Sequence, residues 1–151
     1  MKVILGSDHR GLVLKDAAKA LLKELNVPFE DFGTFSGEPA DYPDVAAKVA
    51  HAVSGIEEVR GLLFCGTGLG MAMAANKIHG IRAAAVSDIP SAILSRRHND
   101  ANILALGEIS VTPEASREII RVWLETGFEG GRHQRRVDKM MQLEQEQGKT
   151  L

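Results

Sequence analysis

Short runs of consecutive apolar residues alternate along the chain with segments whose apolar positions recur at helical spacing. Residues 3–6 form the first run and read as a buried strand, which ends in the polar turn Ser7-Asp8-His9-Arg10-Gly11. Leu12, Leu14, Ala18, Leu21, Leu22 and Leu25 then share one helical face, and Asn26 and Pro28 end that helix. Residues 29–32 give a second strand, closed by Gly33. A loop rich in Ser, Gly, Pro and Asp leads through Asp41-Tyr42-Pro43 to a helix over 45–53. The alternation continues with strand 61–64 and helix 71–78, strand 82–86 and helix 91–97, and strand 103–106 with a helix over 113–126. Gly127 and the Gly130-Gly131 pair break the chain. A charged last helix over 132–147 carries Val137, Met140, Met141 and Leu143 as its apolar stripe.

Strands that are apolar throughout, each followed by a helix, indicate a parallel sheet covered on both faces. No linker, repeat or low-complexity segment divides the sequence, so residues 1–151 read as one α/β domain. The expected architecture is a doubly wound five-stranded parallel sheet of order 2-1-3-4-5 with helices on both faces. Right-handed crossovers then set the loops after the first and third strands side by side, where such sheets bind their ligands. Those two loops are also the most unusual in the sequence.

Composition narrows the possibilities. The formal net charge of −2 gives no overall attraction to nucleic acid or anionic membrane, so any anion site must be local. A single cysteine, Cys65, excludes an internal disulfide and a cysteine zinc cluster, and it suits a reducing compartment. No run approaches the ~18 apolar residues of a membrane span, and the first apolar run is too short for a signal-peptide core. The expected setting is the cytoplasm, with neither nucleic acid nor membrane as partner.

Candidate chemistry concentrates in four motifs. In Cys65-Gly66-Thr67-Gly68-Leu69-Gly70, three alternate glycines let backbone N–H groups approach a ligand, and the following helix adds the positive end of its dipole. Such a turn holds a phosphate or a developing oxyanion, and the same field favours a thiolate able to act as general base. The dinucleotide fingerprint fails there, because Met71 occupies the third glycine position, and no Gly-Lys-Ser/Thr follows to make a nucleoside-triphosphate loop. The plainer reading of Cys65 is a small buried hydrophobe. Asp8 and His9 sit at the same crevice, suited to sugar hydroxyls and to a phosphate or proton; the plainer reading of Asp8 is a helix cap. His98-Asn99-Asp100 pairs an imidazole with an amide donor, or is a polar turn before a strand. Arg132 and Arg136, four residues apart beside His133 and Arg135, suit a phosphate gripped by paired hydrogen bonds, or form a solvated face.

Taken together, the motifs resemble the ribose-5-phosphate isomerase B family, which includes the galactose-6-phosphate isomerase subunits. The matching stretches run in order over nearly the whole chain. They are Gly6-Ser7-Asp8-His9, Asp41-Tyr42-Pro43, Cys65-Gly66-Thr67-Gly68-Leu69-Gly70, Ala74-Ala75-Asn76-Lys77, Ser95-Arg96-Arg97-His98-Asn99-Asp100 and Gly130-Gly131-Arg132-His133-Gln134-Arg135-Arg136. The resemblance implies an aldose–ketose isomerase of ribose 5-phosphate and ribulose 5-phosphate, working through an enediol without metal or organic cofactor. It implies Cys65 as the base, Thr67 as proton relay, and Gly66, Gly68 and Gly70 amides with Asn99 as enediolate donors. His98 would open the ring, Asp8 and Tyr42 would line the sugar, and His9, Arg132 and Arg136 would hold the phosphate. It further implies a homo-oligomer, dimer or tetramer, with sites completed across the interface, and the stripe on the last helix fits such packing.

The chain departs from the family pattern at Ile109, where arginine is common, and at Arg10, where a small residue is usual; Asp88-Ile89-Pro90 differs as well. Either Arg10 supplies the charge that Ile109 lacks, or the pocket takes another phosphosugar, a hexose 6-phosphate or a tetrose phosphate. A non-catalytic sugar-phosphate sensor using the same crevice is the rival from another class; a passive binder has no need of a thiol beside Thr67.

Overall fold

The computed structural model describes residues 1–149. Five strands, β1 (Lys2–Ser7), β2 (Phe29–Asp31), β3 (Val59–Cys65), β4 (Ala83–Ala85) and β5 (Ile103–Gly107), form one parallel sheet. The helices are α1 (Leu12–Glu24), α2 (Tyr42–Val53), α3 (Leu69–Ala75), α4 (Ile89–Arg97), α5 (Pro113–Glu125) and α6 (Arg132–Lys149). α2 begins three residues earlier than the apolar spacing suggests, because Pro43 falls in its first turn, where a missing N–H costs nothing.

The sheet order is β2-β1-β3-β5-β4, which corrects the expected 2-1-3-4-5. Burial explains the exchange. Every residue of β5 is buried, so it needs a neighbour on each side, whereas the three alanines of β4 are only partly covered and suit an edge. Handedness then assigns the helices. The crossovers through α1 and α4 run one way along the sheet, and those through α2 and α3 run the other way, so right-handed turns put them on opposite faces. Two cores result. Val3, Leu5, Leu62, Phe64, Leu104 and Leu106 pack under α1, α4 and α5. Ile4, Leu63, Cys65, Ile103 and Ala105 pack under α2 and α3. The alternation along each strand is the two-residue period of a pleated sheet.

Register fixes the crevice. Ser7 lies opposite Phe64 and Cys65 opposite Gly107, so the chain leaves β1, β3 and β5 at one level. Glu108 then reaches over α1. Its Oε1 accepts from Val13 N at 2.8 Å and from Leu14 N at 3.4 Å, while Gly11, at the N-cap, offers no side chain. Capping α1 from another strand frees Asp8 from that task.

Candidate active site

Beyond the carboxyl ends of β1 and β3 lies a cavity of about 560 Å³, lined by Asp8, His9, Arg10, Tyr42, Cys65, Gly66, Thr67 and Gly70 together with residues 40, 41, 43 and 44. Asp8 is 5% exposed, and its Oδ1 accepts from Arg10 N at 2.9 Å in a tight turn that aims the loop over the crevice. His9 Nδ1 accepts from Ala40 N at 3.2 Å. An accepting Nδ1 puts the proton of the neutral ring on Nε2, which is therefore a donor. The Ala40 contact is absent from any motif, since nothing in the sequence pairs two loops 31 residues apart.

Cys65 ends β3 with 5% exposure, and its sulfur accepts from Gly68 N at 3.0 Å. That backbone donor fixes where the sulfur sits at the wall of the crevice. Thr67 Oγ1 accepts from Leu69 N at 3.2 Å, which leaves its hydroxyl proton available to donate. Tyr42, at the start of α2, lies flat against Gly70. A Cβ on Gly70 would stand 2.7 Å from the ring's Cζ, so only glycine admits this approach. The crevice thus holds a thiol, a hydroxyl with its proton free to donate, closely packed backbone, a buried carboxylate and an imidazole donor, a set suited to moving a proton next to a carbonyl.

The model of the family described as Ribose/Galactose Isomerase matches residues 3–140. The chain belongs to the ribose/galactose isomerase family. Among similar proteins, ribose-5-phosphate isomerase B of Escherichia coli is 48% identical over 95% of this chain and 97% of its own. The ribose-5-phosphate isomerase B of Listeria innocua is 45% identical over 96% of this chain and 98% of its own. Among solved structures, Mycoplasma genitalium ribose-5-phosphate isomerase B with bound ribulose 5-phosphate superposes with a TM-score of 0.93 at 41% identity, over 96% of this chain and 97% of that one.

The remaining residues anticipated for an isomerase of this family lie elsewhere. Loops that enter a strand of a parallel sheet sit at its amino edge, opposite the crevice. His98 is the C-cap of α4, just ahead of β5, and Arg132 opens α6 after α5 has run back to the same edge. Asp100 and Gln134 accordingly line one cavity with Met1 and Val59, which begin or precede β1 and β3. Asn99 lines a second cavity of about 400 Å³ with Met140 and Met141. Arg132 and Arg136 are exposed. None of His98, Asn99, Arg132 and Arg136 lines the crevice that holds Cys65.

This amino-edge group has an order of its own. The His98 and His133 rings stack with centroids 4.2 Å apart and 10° between planes, and His133 Nε2 lies 3.5 Å from Glu129 Oε2. Burial, with His98 and Arg132 nearby, lowers the His133 pKa below the usual histidine value. Among the described residues, His98, Glu129 and His133 bring three metal-type ligand atoms within 4.8 Å of one another. Parallel rings direct their in-plane lone pairs side by side rather than toward one point, which is poor geometry for a shared ion. No helix among the described residues is long and apolar enough to cross a membrane.

Proposed function

We propose that the chain interconverts ribose 5-phosphate and ribulose 5-phosphate through an enediolate, with Cys65 as the base. The observation that carries this reading is the Cys65 sulfur, held by the Gly68 amide at the wall of a crevice that also presents Asp8, His9, Tyr42 and Thr67. The thiolate takes the proton from C2 of the open aldose and returns it to C1. Thr67 carries a proton between O1 and O2. The Gly66 and Gly70 amides, with Asn99, take up the charge of the enediolate, and the Gly68 amide, bonded to the sulfur at rest, joins them once the sulfur has taken the proton. Asp8 and Tyr42 orient the hydroxyls, His9 with Arg132 and Arg136 grips the phosphate, and His98 opens the furanose. Phosphate binding far from the reacting carbons contributes to holding them in place. Cys65 is a free thiol, in keeping with a reducing cytoplasmic setting.

The amino-edge residues reach such a site only from a second copy. A two-fold dimer, alone or within a tetramer, lays the His98–Arg132 patch of one subunit over the Cys65 crevice of the other and makes two equal sites. The test mixes two inactive variants, Cys65→Ala and Arg132→Ala, under subunit exchange. A heterodimer carries both lesions in one site and none in the other, so an equal mixture regains about a quarter of wild-type turnover on ribose 5-phosphate. No recovery after demonstrated exchange refutes the shared site. Running the panel with hexose 6-phosphates and tetrose phosphates identifies the preferred sugar.

Arg10 supports the phosphate reading. Its Cδ lies 3.3 Å, and Ile109 Cδ1 3.7 Å, from where a Cβ on Gly66 would stand, so the two side chains flank one rim position. Arg10 therefore offers its cation where Ile109 has none, and Arg10→Ala raises KM for the phosphosugar.

A further inference from the structure

His133 is a buried imidazole that the mechanism above does not use, 6% exposed in a segment otherwise open to solvent. Its place follows from the backbone. Gly130 and Gly131 have φ of +68° and +57°, a double left-handed turn that other residues adopt only under strain. Glu129 N donates to Arg97 O at 3.1 Å, which ties this turn to the last residue of α4, and His133 N donates to Gly130 O at 3.0 Å as α6 begins. These bonds return the chain over the end of α4, and the His133 ring lands face to face on His98 at 4.2 Å. His98 itself is only half-buried and has no side-chain hydrogen bond among those of the described residues. The stacked ring is therefore what fixes its plane. Glu129 Oε2 lies 3.5 Å from His133 Nε2, and its carboxylate is within 4.8 Å of a nitrogen of each ring, so it borders the stacked pair and holds the platform from the side.

We propose that His133 is a positioning residue for ring opening, acting as the flat platform that sets the His98 imidazole in the orientation in which it exchanges protons with the sugar ring. The proposal rests on the reading of His98 as the ring-opening group. The platform need only be planar and of low charge: two protonated rings at this spacing would repel, so a neutral His133 leaves His98 free to take up and release its proton. Burial of His133 beside His98 and Arg132, which disfavours its protonated form, agrees with that role.

The test compares His133→Ala, His133→Phe and His98→Ala in the full-length protein, with circular dichroism to confirm folding. Initial rates are read in both directions, at enzyme concentrations where turnover outruns spontaneous ring opening in water. Ribose 5-phosphate enters as a furanose, whereas ribulose 5-phosphate has its terminal oxygen esterified and enters as an open chain. The expected result is that His133→Ala lowers kcat/KM from ribose 5-phosphate by about tenfold or more, leaves the rate from ribulose 5-phosphate within about twofold, and that His133→Phe restores most of the loss. If His98→Ala shows this split and His133→Ala does not, the platform role is wrong and the His98 reading stands. Equal losses in both directions, with no rescue by phenylalanine, mark His133 as merely structural and overturn the proposal. If His98→Ala is itself silent from ribose 5-phosphate, the reading and the proposal fall together.

Discussion

Gly70→Ala sets two effects of known sign against each other. Gly70 is the second residue of α3, and alanine in a helix is favoured over glycine by up to about 1 kcal/mol. The new methyl would stand 2.7 Å from Tyr42 Cζ and 2.8 Å from Cε2, closer than atoms can approach, and a tight 3.2 Å from Cε1. The ring must yield, and it can, because Tyr42 is 41% exposed and has solvent to swing into. The fold therefore holds, with Tm unchanged or raised by up to about 4 °C on the scale of ~1 kcal/mol for a chain of this size. The crevice, however, loses its tyrosine wall. A hydrogen bond from the Tyr42 hydroxyl to a sugar hydroxyl is worth about 0.5–1.5 kcal/mol, so KM rises by about two- to tenfold. Steady-state kinetics on ribose 5-phosphate, with a thermal melt, measures both. The control is Tyr42→Ala: it gives a similar rise alone, and adding Gly70→Ala to it gives no more, since the clash has lost its partner. An unchanged KM in Gly70→Ala, or fully additive effects in the double variant, refutes the reasoning.

Three further outcomes follow from the same geometry. Cys65→Ala keeps the fold and phosphosugar affinity but loses turnover by about 10²–10⁴-fold, the usual worth of a general base; full activity in that variant removes Cys65 from the chemistry. Glu108→Ala strips the acceptor from Val13 N and Leu14 N and costs about 1 kcal/mol in urea denaturation, a loss that would be absent if water capped α1 equally well. Asp31 titrates below the usual carboxylate range: burial opposes its charge, but bonds from Gly33 N, Lys15 and Lys19 outweigh that. A carboxylate held low stabilises the fold above its unfolded pKa of about 4 and loses that contribution as pH falls through the native value, so stability drops on acidification below about pH 4, and Asp31→Asn shows a shallower drop.

The fold was legible wherever a single strand or helix had a period to read. The five strands and six helices stand close to where the alternation puts them, most plainly where an element buries a continuous apolar stretch, as β3 and β5 do, or a clean stripe, as α1 and α5 do. The exchange of β4 and β5 was not legible from periodicity, which reports what an element buries and not which neighbour does the burying. The weaker signal lay in composition: Ala83–Ala85 offers little to a central position, while Ile103–Gly107 demands cover on both sides. The Glu108 cap on α1 and the Ala40 contact to His9 had no signal at all, since each joins loops far apart in sequence.

For the site, the sequence contained one constraint stronger than any of its motifs. Strands that all point one way put every loop leaving a strand at one edge of the sheet and every loop entering a strand at the other. The Asp8 and Cys65 motifs leave strands; the His98 motif enters one, and the Arg132 motif follows a helix that has already run back. One copy of the chain therefore separates the proposed base from the proposed ring opener and phosphate clamp by the length of the sheet, however strong their resemblance to a single active site. A reaction that needs all of them needs the amino edge of one sheet laid against the carboxyl edge of another, an antiparallel pairing that a two-fold axis supplies twice over at no additional cost in sequence. Under the proposed shared site, the amino edge is under two demands at once, to fit a partner and to present His98 and Arg132 at a fixed angle. The rigid features found there, the double left-handed glycine turn and the stacked imidazoles, meet the second demand before any partner arrives.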